Sequence, residues 1–208
     1  MSQARKQRKP VHKRSADTAL QIAATALGIL ESEGVDAVTM HRVARELGVT
    51  PMAIYHHYEN REALLQRIVD DEILKLAALG ARLASSAAYT RRVEQFVDAY
   101  LDYAFERPHI FDYIFNSPRS NVMKYPEDFR MRRSPSLTPV ADRVAAMMKD
   151  GQLRRNDVWE VTLQLWAHAH GYITMYRAGR FDMDEKAFRA LYHRAVKRLF
   201  QGLSSHHG

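Results

Sequence analysis

Between Thr39 and Tyr58 the chain has to fold two short helices across a sharp corner, and no other feature constrains its fold as much. Thr39 suits the N-cap of a helix of about two turns, because its hydroxyl can accept a backbone N–H that the first turn leaves unpaired. Gly48 then breaks the helix with a residue that tolerates positive φ. Thr50-Pro51 restarts the chain, threonine as N-cap and proline at the first helical position, where its missing N–H costs nothing. Two helices that cross steeply need a small residue where they touch, and Ala44 occupies that place. Val43, Leu47, Val49 and Ile54 are spaced as inward apolar anchors. Caps, turn and anchors agree on a helix-turn-helix, with the third helix expected to end near Tyr58.

Elsewhere, helix signals follow one another without a period-two alternation that would mark a strand. Leu20, Ala23, Ala24, Leu27 and Leu30 recur at helical spacing on a first helix expected from Ser15 to Glu33, with Gly34 ending it in a left-handed conformation. Asn60 caps a long fourth helix that weakens in the alanine- and serine-rich stretch 84–88. Further helices are expected over Arg91–Arg107, His109–Phe115, Leu137–Asp150, Asn156–Ala178 and Asp184–Gln201, with 116–136 mostly loop because of Pro118, Pro126 and Pro135. The fold class read from this pattern is all-α, with about nine helices. It divides into a basic arm (1–14), a helix-turn-helix domain (15–60), a connecting helix and boundary region (61–90), a C-terminal helical domain (91–203) and a frayed tail (204–208).

Charge and cysteine narrow the function classes. The net charge is +7, and Arg5, Lys6, Arg8, Lys9, Lys13 and Arg14 precede the first acidic residue, a distribution that favours a polyanionic partner. Two readings of that arm stay open, a solvated tail and a direct contact with DNA. There is no cysteine, so disulfides, thiolate catalysis and cysteine-ligated zinc are excluded. Gln21, Thr25, Glu31 and Glu33 argue against a signal peptide, and no stretch is apolar enough to span a membrane, so a cytoplasmic location is expected. No Gly-rich phosphate loop, His-Glu-x-x-His or Gly-x-Ser-x-Gly is present, so no enzyme activity, catalytic residue, cofactor or metal is expected.

Val38-Thr39-Met40-His41-Arg42-Val43-Ala44-Arg45-Glu46-Leu47-Gly48-Val49-Thr50, followed by Pro51-Met52-Ala53-Ile54-Tyr55-His56-His57-Tyr58, resembles the DNA-binding domain of the tetracycline-repressor family. Asn60-Arg61-Glu62-Ala63-Leu64-Leu65 resembles the opening of that family's connecting helix. Trp166-Ala167-His168-Ala169-His170-Gly171, with Ala178-Gly179-Arg180-Phe181, resembles the family's Trp-His-Gly type of C-terminal domain. Tyr58 stands where phenylalanine is commoner. The resemblance implies that the third helix enters the major groove of double-stranded operator DNA. Met52, Ala53 and His56 would then face base edges, helped by His41 and Arg42. Arg42 would suit guanine, and Met52 and Ala53 thymine methyls. Thr39, Thr50, Tyr55, His57 and Arg61 would hold the backbone, and Pro51, between them, counts among the DNA-binding residues.

The C-terminal residues leave more open. Tyr100, Tyr103, Phe111, Phe115, Met147, Trp166 and His170 read either as core or as the lining of an apolar cavity for a small effector. His168 and His170 point to different sides of one helix, a poor chelating pair. Gly171 is expected to admit a neighbouring helix. Phe188, Leu191, Tyr192, Ala195 and Leu199 form one stripe, expected as the interface of a homodimer whose last two long helices build a four-helix bundle. The expectation is a repressor released by an apolar or aromatic ligand. The alternatives are a ligand-independent activator or architectural DNA-binding protein, and an enzyme acting in the C-terminal pocket.

Overall fold

The computed structural model describes residues 11–84, 89–119 and 121–205, with side chains over 15–78, 97–119 and 121–205. The basic residues ahead of Ser15, the stretch 85–88, and His206 and His207 therefore lie outside the described backbone or side chains. Among the described residues the protein is all α-helical: α1 Val11–Glu33, α2 Met40–Leu47, α3 Pro51–Tyr55, α4 Arg61–Ala84, α5 Tyr89–Glu106, α6 Pro108–Phe115, α7 Glu127–Arg130, α8 Leu137–Lys149, α9 Val158–Arg177 and α10 Glu185–Leu203. A 3₁₀ turn at Val35–Ala37 joins α1 to α2. No described helix is long and apolar enough to cross a membrane.

Local chemistry sets the helix ends. Gly48 sits at φ +66° and closes α2 as a left-handed cap. Gly34 has φ +88° but ψ 172°, so the chain leaves α1 extended rather than in the expected left-handed turn. The Asn60 Oδ1 accepts the Ala63 N–H at 2.8 Å and starts α4. Asp157 accepts the Trp159 and Glu160 N–H groups at the head of α9, and Asp184 accepts that of Ala187 at the head of α10. Within the stretch expected to be mostly loop, α7 forms a single turn, with Phe129 buried. The arginines around it are all paired: Arg130 with Asp157, Arg132 with Asp142 and Arg133 with Asp128.

The chain folds as two compact units. One holds the chain up to Glu72 together with Arg107–Ser117, the other Ile73–Glu106 and the chain from Pro118 onward. The division falls inside α4. α6 belongs to the first unit although α5, before it in the chain, belongs to the second. Ile110, Phe111 and Ile114 are buried on it, and His109 Nδ1 lies 3.0 Å from the Glu31 carbonyl of α1. Arg107, at its N-cap, bridges Glu31 of α1 and Glu72 of α4, and Glu72 is wholly buried.

The core of the first unit is Ile22, Ala26, Leu30, Val43, Ala44, Ile54, Leu64, Leu65 and Ile68. In the second, one aromatic core runs along α10, where Phe188 stacks on Tyr176 at 4.0 Å and packs against Phe181 and Tyr192. Val144, Met147, Met148, Leu153 and Val161 form a separate cluster between α8 and α9.

Candidate nucleic-acid interface

Two threonine caps hold the helix-turn-helix. Thr39 Oγ1 accepts the Arg42 N–H at 3.1 Å, and Thr50 Oγ1 accepts the Ala53 N–H at 3.3 Å. Each hydroxyl keeps its own proton to donate, so capping the helix leaves it able to bind a phosphate oxygen. Val43, Ala44 and Ile54 are buried where α2 and α3 cross, as the spacing required. Leu47 is only half-buried. Val49 is a correction: it was expected to point inward, but it is 43 % exposed. It follows the left-handed Gly48, whose reversal of the chain turns the next side chain outward.

Tyr58 closes the motif against α1. Its ring is buried, and its hydroxyl donates to the Ala19 carbonyl at 3.0 Å. Burial raises its pKa, since a phenolate there would lose water. The tyrosine thus does more than fill space, because it ties the end of the recognition segment to the first helix.

The outer surface carries the remaining residues expected at DNA. Thr39, His41, Thr50, Met52, Tyr55 and His56 are exposed, while Pro51, Ala53 and His57 are half-buried. Arg42 and Arg61 have partners inside the protein. The Arg42 guanidinium donates to Glu46 Oε1 at 2.9 Å and to Glu33 Oε1 and Oε2 at 2.8 and 3.3 Å. The hydrogen bond to Glu46, with the charge of Glu33, raises its pKa. Arg61 donates through Nε to the Val38 carbonyl and through Nη2 to the Val35 carbonyl, both at 2.6 Å, fastening the start of α4 to the connector before α2. The pairing of Arg42 with Glu46, four residues on, is legible as a helix-face pair. The pairing with Glu33 is not, because it depends on where the connector places α1.

In the second unit, three of the residues expected at an effector meet. Tyr100 of α5 is hydrogen-bonded to His170 Nδ1 at 3.0 Å and accepts the Trp166 indole N–H at 3.2 Å. The indole can only donate, so the Tyr100 oxygen accepts that bond and keeps its own proton and a further lone pair for other partners. Burial raises the Tyr100 pKa steeply. Tyr103 is buried in the same unit, and Met147 belongs to the α8–α9 cluster. Phe111 and Phe115 lie in the first unit, packed on each other at 5.1 Å.

His168 faces Tyr172 at 5.0 Å, away from the Tyr100 network, and burial lowers its pKa. Among the described residues no cluster could hold a metal ion. The expected interface stripe on α10 also needs correction. Phe188 and Tyr192 have no exposed area and Ala195 has almost none, and the first two pack within the aromatic core of their own unit. Leu191 and Leu199 are half-buried. A Cβ at Gly171 would meet nothing within 4 Å, so the close helix approach expected there is not made among the described residues.

Known proteins share this architecture. Residues 22–68 match the family described as bacterial regulatory proteins, tetR family, and residues 93–199 match the tetracyclin repressor-like C-terminal domain. An uncharacterised HTH-type transcriptional regulator of Mycobacterium tuberculosis is 27 % identical over 182 residues, covering 86 % of this chain and 78 % of that protein. Among solved structures, a Rhodococcus sp. RHA1 protein of unknown function has TM-score 0.75 at 22 % identity, covering 89 % of this chain and 95 % of its own. A TetR family transcription regulator from Marinobacter aquaeolei has TM-score 0.69 at 14 % identity, covering 94 % of this chain and all of its own (100 %). FadR from Bacillus subtilis, in complex with stearoyl-CoA, has TM-score 0.68 at 13 % identity, covering 90 % and 99 %.

Proposed function

The chain belongs to the tetR family of bacterial regulatory proteins, and from that premise we propose a cytoplasmic homodimeric repressor that a small apolar or aromatic effector releases from a palindromic operator. The observation that carries the reading is the α2–α3 surface. It is capped at both helix starts, locked to α1 by Tyr58, and leaves Met52, Tyr55, His41 and His56 exposed. A rigid surface of that kind suits the major groove, whose base edges distinguish all four base pairs. Thr39, Thr50, Tyr55 and His57 are the proposed backbone contacts.

A two-fold dimer would present two such surfaces to an inverted repeat. We place its interface on the sides of α9 and α10 that the chain itself leaves open. Ala167 and Met175 are exposed on α9, Ala178 at its C-cap, and Ala187 and Ala190 on α10, with Gly171 open to close approach. For the effector, the Tyr100–Trp166–His170 cluster offers orienting polar groups within an aromatic unit. That the similarly folded FadR holds stearoyl-CoA supports an apolar ligand in a domain of this shape. An effector acts as a switch only if it binds the DNA-incompetent state more tightly.

Selection from a random double-stranded pool by the purified full-length chain at near-physiological salt tests the reading. Recovery of an inverted repeat is expected. Binding that falls steeply with salt but enriches no sequence would overturn it in favour of an architectural DNA-binding protein.

A further inference from the structure

The α2–α3 surface carries two kinds of group that read bases, and the structure separates them. A guanidinium that reads guanine has to present two parallel N–H groups to O6 and N7. Arg42 is the one arginine among the expected base readers, and its Nε, Nη1 and Nη2 all donate to carboxylates of its own chain, at 2.9, 3.3 and 2.8 Å. Bonded to Glu46 on its own helix and to Glu33 on α1, it braces α2 against α1. To read a base it would have to leave two carboxylates, which would then lie bare against the DNA.

Beside it the surface is apolar. Met52 is 65 % exposed, more than any other large apolar residue in the described chain, and Tyr55 follows one helical turn on at 44 %. Val49, turned outward by Gly48, adds a third side chain at 43 %, and Ala53 lies between them. Water is a poor neighbour for such a patch, and none of the described residues of its own unit covers it. Its rim is polar or cationic: His41, Arg45 and His56 are exposed around it. A polar rim with an apolar centre suits the major groove over A·T pairs, where phosphates flank the protruding C5-methyl of thymine.

We propose that this protein selects its half-site chiefly through thymine methyl groups, with Met52 as the specificity-determining side chain and Arg42 as a brace that reads no base. The proposal rests on the α2–α3 surface entering the major groove. Replacing thymine with deoxyuridine removes the methyl and leaves every hydrogen-bonding group in place, so it isolates the contact. Burying one methyl is worth about fourfold in affinity.

The experiment takes the duplex recovered from the random pool and replaces its thymines by deoxyuridine one at a time, with binding measured for the wild type and for Met52→Ala. At one or two positions per half-site the wild type is expected to lose about fourfold, and Met52→Ala to bind the thymine and uracil duplexes equally there. Because Met52 is largely exposed, the variant should keep its fold. Arg42→Gln is expected to recover the same sequence from the pool as the wild type. A defined sequence bound equally with uracil throughout, or a methyl preference that survives in Met52→Ala, overturns the proposal alone. So does an Arg42→Gln protein that relaxes its choice at a guanine. A wild type that enriches no sequence overturns the proposed function and this reading with it.

Discussion

Replacing Arg107 with methionine should be among the most destabilising changes available in the first unit. Glu72 has no exposed surface, and Arg107 is an ionic partner of it. The substitution keeps the aliphatic bulk but takes that guanidinium from a buried carboxylate, a change that costs about 3–5 kcal/mol. The second pair, with Glu31, adds little, because that carboxylate is 36 % exposed and water screens it. For a chain of this length each kcal/mol shifts the midpoint by roughly 2–4 °C, so the variant should melt about 6–20 °C below the wild type. Thermal melting followed by circular dichroism at neutral pH reads this directly. Methionine at both Arg107 and Glu72 should recover most of the loss, since a buried ion pair contributes little net stability relative to an apolar pair of similar volume. An Arg107→Met protein melting within a few degrees of the wild type would refute the reasoning. So would a double variant no more stable than the single one, because the penalty would then not come from the stranded carboxylate.

Two further outcomes follow from local geometry and from burial. Gly48→Ala should cost about 1–2 kcal/mol in urea unfolding, because Gly48 sits at φ +66° with open space around its Cα, so the whole cost is backbone strain; Gly48→Asn should cost less, and equal losses for the two would contradict that origin. His168 is held below the ordinary imidazole value of 6.5, mainly by burial. The unfolded chain therefore takes up its proton first, and stability should fall as pH drops below about 6.5 toward the lower folded value. His168→Gln should flatten that part of the melting-temperature profile, and an unchanged slope would assign the acid sensitivity to other groups.

Most of the helix-turn-helix was legible because its determinants are local. The caps at Thr39, Thr50 and Asn60 and the turn at Gly48 act over three or four residues, so the order of residue types carries them. Which face of α10 is apolar was legible too, since helical period alone places Phe188, Tyr192 and Ala195 in one row. What covers that row was not legible: an apolar stripe packs equally well against its own chain or against a partner, and here Tyr176 and Phe181 of the same unit reach it. The aromatic residues read either as core or as a lining fall in different units, because Phe111 travels with α6 into the first and Tyr100 stays in the second.

Periodicity and caps determined the helices, the corner at Gly48 and the side chains offered at α3. Tertiary structure alone decided that Val49 faces outward, that Arg42 is held by Glu33, and that Arg107 joins groups 76 and 35 residues away. Helix formation depends on neighbours along the chain. Burial and ion pairing depend on neighbours in space, and these exist only once the helices have packed.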